Sequence, residues 1–205
     1  MELGTKVVPG RDRVEVDEVV VEPVEGSTWI ALHKPTGVLT TRSDPHGGRT
    51  VYDILPTDAG GLRYVGRLDR DTEGLLLLCN EGDVIHGLTH PGNQVEREYR
   101  AWVLGVPNRT TLRRLVEGVA LEDGPARARR ARLLEREGDH ALVGLVLTEG
   151  RKREVRRMLD TVGHPVRRLT RVRFGAVELG DLAPGHWREL DEEERTKLRA
   201  LAGAR

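Results

Sequence analysis

The sequence predicts an α+β fold built on a mostly antiparallel sheet. Three observations carry that prediction: strand-like segments outnumber helical ones, the two kinds do not alternate as regular βαβ units would, and no internal repeat is present. With 205 residues, the chain is long enough for one substantial domain, or a domain with a small appendage, with a core of its own.

The elements follow in order. Residues 13–21 (RVEVDEVVV) are β-branched and partly alternating, a strand pattern broken by the Glu-Pro and Glu-Gly steps over 22–26. A second short strand at 29–33 ends at Lys34-Pro35-Thr36-Gly37, a turn in which Gly37 can supply φ > 0. The DPHGG loop at 44–48 precedes Thr50, which can cap a short helix through Leu55. Strands are expected at 64–68 and 74–79, separated by the polar bend Asp69-Arg70-Asp71-Thr72-Glu73. Helical turns at 83–88 stop near Pro91, and a strand follows over 98–104. Asn108 can cap a helix that runs to Glu117 with Leu112, Leu115 and Val116 on one face. Strands at 127–134 and 141–148 precede the most regular helix, 154–162, whose Val155, Met158, Leu159 and Val162 fall at i, i+3, i+4 and i+7 before Gly163 ends it. Strand-like segments at 166–174 and 176–179 and a charged helix from Asp191 complete the chain.

Composition narrows the class. A single cysteine, Cys79, excludes an intrachain disulfide framework and reads as a buried, inert thiol in an apolar run. The N-terminus lacks the pattern of a signal peptide, and the longest apolar stretch, 75–79, is far too short to span a bilayer. A soluble, cytoplasmic protein with no membrane partner is expected. Net charge is +0, yet residues 151–173 hold nine Lys or Arg against Glu154 and Asp160, a local balance of +7. The opposing acids cluster mostly at 12–25 and 189–194, so separated signs are compatible with a phosphate-binding face; a salt-bridged, solvated surface is the competing reading. Three Trp, three Tyr and one Phe are too few for a stacking platform of the single-strand-binding kind.

The densest candidate for chemistry is GRLDRDTEG at 66–74, in which two carboxylates flanked by arginines sit on a bend between apolar strands. Rigid strands make such a loop a good mount for a reactive side chain, and a nearby guanidinium keeps a carboxylate ionised in a desolvated site. Spacing alone favours an ordinary charged hairpin tip. His86 and His90 have helical ligand spacing, but Pro91 closes the helix and no further ligand stands close by, so no metal is expected. Ser27 and Ser43 lack a nucleophile elbow, and no Walker loop or GxGxxG offers a cradle for a nucleotide cofactor.

Four ordered segments decide between these readings. The string GRLDRDTEGLLLLCNEGDVIHGLTHP resembles the signature of ribosomal pseudouridine synthases of the RsuA/RluB type. HKPTGVLTT (33–41) resembles the family's first motif, VEREYRAWVLG (95–105) its tyrosine motif, and LTEGRKREVRRMLDTVGHPVRRLTRVRFG (147–175) its arginine motif. The likeness spans about residues 28–195, and it implies the pseudouridine synthase fold, a sheet flanked by helices with a central RNA-binding cleft. Asp69 matches the aspartate that starts cleavage of the N-glycosidic bond, Tyr99 the aromatic lying against the target base, and Arg156 the basic residue paired with that aspartate. Arg67 resembles an arginine that fills the space left by a flipped nucleotide. Arg151, Lys152, Arg153 and Arg157 are expected to contact RNA.

These roles fit the physics of the reaction. Taking a base out of its stack costs a few kcal/mol, of which stacking on an aromatic ring recovers about 1–3 kcal/mol. The isomerisation needs no redox partner or group donor, so no cofactor is expected. The resemblance leaves open whether Asp69 adds covalently or takes a ribose proton. VEREY together with GVALEDGPA (118–126) points to the branch acting on large-subunit (23S) rRNA, naked or in an assembly intermediate, rather than on 16S rRNA. Residues 1–22 resemble only the final stretch of an α-L RNA-binding module: either the module has been lost, or the chain starts at an internal Met1. Expected domains are thus a remnant and linker over 1–24 and a catalytic domain over 25–205. A monomer is expected. The rival readings are a non-catalytic rRNA-binding or assembly factor on the same scaffold, which the intact Asp69, Tyr99 and Arg156 disfavour, and an Asp-dependent hydrolase, which would leave the basic stretch without purpose.

Overall fold

The computed structural model describes residues 14–16, 19–21, 26–56 and 59–203. Most of the N-terminal remnant and linker expected over 1–24 lies outside them. Within it, β1 (Val14–Val16) and β2 (Val19–Val21) pair antiparallel as a two-stranded sheet.

Among the described residues, nine strands form one sheet. In chain order they are β3 (Trp29–Lys34), β4 (Arg63–Val65), β5 (Glu73–Cys79), β6 (Arg97–Leu104), β9 (Arg130–Glu137), β10 (His140–Leu147), β11 (Val166–Phe174), β12 (Val177–Glu178) and β13 (Trp187–Glu189). The spatial order is β13-β3-β5-β11-β6-β10-β9, with β4 on β5 and β12 on β11. The β5–β11 pair is parallel and every other pair antiparallel, which agrees with the expected fold class. The remaining strands, β7 (Val119–Leu121) and β8 (Gly124–Ala126), make a separate hairpin.

Four helices flank the sheet: α1 (Gly82–Thr89), α2 (Arg109–Glu117), α3 (Glu154–Thr161) and α4 (Glu192–Leu201). Strand alternation divides the core in two. Ile30, Leu32, Leu76 and Leu78 pack with Leu115 of α2 and Val155, Met158 and Leu159 of α3. Trp29, Ala31, Leu75 and Leu77 face the other way, against Val84 and Leu88 of α1 and Leu198 of α4. Every residue of β5 is buried, as its unbroken apolar run requires of a strand covered on both faces. Cys79 lies there, its thiol pushed up to about 12 by burial, as an inert thiol should be. No helix among the described residues is long and apolar enough to cross a membrane.

The structure corrects several boundaries. β4 stops at Val65 because Gly66 adopts φ +68 and turns the chain away. The helix expected after Thr50 is a single 3₁₀ turn, Val51–Asp53, closed by a capping box. The strand expected from residue 127 begins at Arg130, because 124–126 pair with β7 and the Ala128 N–H donates to the Leu115 carbonyl at 2.8 Å. β13, three residues on the sheet's edge against β3, carried no pattern long enough to read.

Candidate active site

The sheet is split along one edge of β5. β11 pairs with it at Glu73 and Gly74, β4 from Leu77 to Cys79, and residues 66–72 connect β4 to β5. Gly74 allows the close approach of β11: a Cβ there would lie 2.3 Å from the Arg171 carbonyl oxygen. Thr40 ties down the loop, its hydroxyl donating to the Leu68 carbonyl at 2.9 Å. A tight turn then runs from the Asp69 carbonyl to the Thr72 N–H at 3.1 Å. The Gly37 N–H donates to the Arg70 carbonyl at 2.7 Å and Arg70 Nε donates back to the Gly37 carbonyl at 3.3 Å, so the Lys34–Gly37 turn clasps the bend.

The two carboxylates of the bend have different fates. Asp71 takes the arginines: Arg153 Nη1 lies 2.8 Å from its Oδ1, and Arg156 Nε 3.4 Å from its Oδ2. Arg156 also donates from Nη2 to the Asp71 carbonyl at 2.7 Å. The hydrogen bond from Arg153 holds the Asp71 carboxyl below its usual range, more than offsetting its partial burial. This corrects the expected pairing of Arg156 with Asp69. The start of α3 faces the outer end of the turn, where Asp71 projects, so the guanidinium meets that side chain and reaches Asp69 only through the longer-range field. Asp69 itself is half-buried and, among the described residues, its carboxylate has no hydrogen bond or ion pair. Lys34, Arg153 and Arg156 are the cations that feel its charge.

Asp69 lines a cleft of about 450 Å³ with Arg67, Leu68, Thr72, Tyr99 and residues 149–155. Tyr99 comes from β6 and is 9% exposed, its inward face packed in the core with Leu145 and Leu147. Three of the expected RNA contacts, Arg67, Lys152 and Arg153, are exposed around this cleft. Of these Arg153 is held by Asp71, and the other two expected contacts are likewise occupied. Arg151 is bound by Glu149, Glu154 and Asp123 at 3.1–3.2 Å, and Arg157 grips both Asp123 oxygens at 2.8 and 2.9 Å. Asp123 is the tip of the β7–β8 hairpin, which these arginines dock beside the cleft.

The wider basic stretch is likewise paired from afar. Arg168 meets Glu73 at 2.6 Å, and Arg173 meets Glu96 and Glu98 at 2.9 and 3.4 Å. Among the described residues the neutralising acids are thus these, whereas Glu192, Glu193 and Glu194 pair with Arg188, Arg195, Lys197 and Arg199, and the side chains of the acids expected at 12–25 lie outside those described. Two groups escaped the sequence reading. Lys34 is fully buried, and desolvation brings it down to about 8 against the pull of Asp71, Asp69 and Glu73. Glu154, 4% exposed in the cleft wall, is pushed up by burial and by a hydrogen bond with Glu149. Lys34 has no local signal, since the carboxylates around it lie far along the chain, whereas the partners of Glu154, Glu149 and Arg151, are close in sequence and only its burial is set by the fold.

A family model described as RNA pseudouridylate synthase matches residues 28–161. An "uncharacterized RNA pseudouridine synthase" of Aquifex aeolicus is 39% identical over 202 residues, 98% of this chain and 81% of the relative. A "ribosomal large subunit pseudouridine synthase B" of Bacillus subtilis is 38% identical over 203 residues, 98% of this chain and 82% of the relative. A crystal structure of a pseudouridylate synthase superposes with a TM-score of 0.77 at 30% identity, covering 95% of this chain and 84% of that one.

Proposed function

The chain belongs to the RNA pseudouridylate synthase family, and from that premise we propose that it isomerises one uridine of large-subunit rRNA to pseudouridine, with Asp69 as the catalytic carboxylate. The C1′–N1 bond breaks, the uracil turns while held in the cleft, and C5 joins C1′; C5 then loses its proton and N1 gains one. Atoms and electrons balance without a co-reactant.

One observation carries the assignment to Asp69. Of the two carboxylates on the bend, Asp71 absorbs both arginines, while Asp69 faces the cleft beside Tyr99 with no ion pair to break before it meets the ribose. Tyr99 offers its ring to the extruded base. Arg156 and Arg153 act on Asp69 by fixing the turn and by their field, rather than by direct contact. Arg67 and Lys152, which line the cleft, meet backbone phosphates in this reading, and the large-subunit target is supported by the activity named for the Bacillus subtilis relative. We read residues 1–24 as the end of an RNA-binding module and linker ahead of a catalytic domain over 25–205, acting as a monomer in the cytoplasm.

The test is site-resolved pseudouridine mapping of rRNA from cells with and without the gene. One large-subunit site should vanish on deletion and return with the wild type but not with Asp69→Asn, whose purified protein should still bind the RNA. Restoration of the site by Asp69→Asn would sink the catalytic assignment. An unchanged map would move the substrate elsewhere.

A further inference from the structure

The cleft adjoins a second lobe of about 240 Å³, which shares with it Gly66, Arg67, Tyr99 and residues 149–151. Four arginines line this lobe, Arg67, Arg97, Arg151 and Arg171, against one carboxylate, Glu149. Arg151 is already matched by Glu149, Glu154 and Asp123. The other three are not. Arg97 is 8% exposed and Arg171 2% exposed, and their guanidinium carbons lie 5.1 and 5.2 Å from the centre of the same Phe174 ring. Neither has a carboxylate within ion-pair distance among the described residues. Arg97 donates to the carbonyls of Val95, Thr148 and Leu88 at 3.2–3.3 Å. Arg171 Nε donates to the Leu75 carbonyl at 2.8 Å, its guanidinium also bonds Tyr99, and its Nη2 has no partner at all.

Carbonyl oxygens satisfy hydrogen bonds but do not cancel net charge. Two buried, mutually repelling guanidinium groups without a counter-ion are a costly arrangement, and each has its pKa lowered by that burial. Such a cost is offset when an anion arrives from outside, because a charge-assisted contact in a site shielded from water is stronger than one at the surface.

We propose that this lobe is a phosphate subsite, in which Arg67, Arg97 and Arg171 hold the phosphodiester flanking the target uridine. The inference rests on the function proposed above. With the uridine in the main cleft against Tyr99, the nearest anionic group of the strand is the phosphate beside it, and the lobe shares a wall with that cleft. Arg171, one of the arginines that fill the lobe with positive charge, also bonds the Tyr99 side chain, so binding of the backbone is coupled to placement of the base.

The experiment uses wild-type protein in single-turnover kinetics on an rRNA fragment and on copies carrying one neutral methylphosphonate at each linkage near the target. Turnover of the unmodified fragment tests the proposed function, and its absence would fail that reading rather than the subsite. The neutral series tests the subsite. One linkage directly flanking the uridine should weaken half-saturation by about 10- to 100-fold, as expected for loss of charge-assisted bonds, and the others far less. Arg171→Lys should show the same loss with the charged RNA and little further loss with that neutral linkage. Should Arg171→Lys not fold, Arg67→Ala, an exposed position, enters the same cycle. Uniform small losses at all linkages, or losses additive with the substitution, would overturn the proposal. Inorganic phosphate at constant ionic strength separates the two sources of the anion. Weak competition against the charged linkage alone supports an RNA phosphodiester, whereas tight binding of free phosphate with no linkage effect overturns the assignment to RNA.

Discussion

Asp69 and Asp71 are two residues apart and chemically identical, and their surroundings assign them different work. Asp71 accepts from Arg153 and Arg156 and thereby pins the start of α3 to the bend. Asp69 keeps its oxygens free in the cleft. In Asp71→Asn the ion pairs are lost, so the turn loosens and the arginines are released towards Asp69. The expected result is a drop in the single-turnover rate of about 10- to 100-fold with little change in half-saturation, the signature of a misplaced reacting group. Full activity in Asp71→Asn would show that the pairing does not position the bend. The Asp69→Asn prediction belongs to the same scale, since it removes one charge and leaves the shape unchanged.

At the scale of elements, one carboxylate holds α4 against the sheet. Arg199 donates to Glu81 from Nε and Nη2 at 3.0 and 2.8 Å, and Trp29 Nε1 donates to the same carboxylate at 2.7 Å, as does the Ser27 hydroxyl. The helix, the start of α1 and the start of β3 thus converge on a half-buried group. The Arg199 hydrogen bond leads the forces that bring Glu81 from its ordinary 4.5 down to about 2. Because the folded value lies below the unfolded one, the unfolded chain takes up the proton first as pH falls. The network's contribution is therefore complete above about pH 4.5 and is lost as the pH falls through about 2. Glu81→Gln should cost about 1–3 kcal/mol near neutrality by urea unfolding, and the gap to wild type should narrow across that acid window. A gap that stays constant with pH would mean the carboxylate contributes through packing alone.

For the whole molecule, the sum of charges misleads about binding. The net charge is +0, and most of the basic stretch at 151–173 is neutralised by acids brought in from other strands and loops. What remains near the cleft is a small set of unpaired cations, Arg67 and Lys152 among them, together with the buried arginines of the adjoining lobe. RNA affinity should therefore fall with salt, with a log–log slope of about −2 to −3.5, corresponding to roughly three to five phosphates on a single strand. Lys152→Ala should make that slope shallower by about 0.7 without changing which uridine is modified. Filter binding across a salt series measures both. A slope near zero would contradict phosphate binding at the cleft.

Much was legible in the sequence itself. The buried run of β5, the i, i+3, i+4, i+7 face of α3 and the Asn108 cap each depend on residues within a turn or two of one another, so local patterns suffice to place them. The ordered motifs were legible through the family resemblance, and of the residues they singled out Asp69 and Tyr99 line the cleft. The tertiary structure alone decided which charges meet. Arg153 and Arg156 find Asp71 across 82 and 85 residues, and Arg157 finds Asp123 across 34. The clasp of Lys34–Gly37 on the bend, the docked β7–β8 hairpin and the unmatched Arg97 and Arg171 belong to the same class. Coulomb forces and desolvation depend on distance in space, and the sequence order of the partners carries no record of it until the sheet has brought them together.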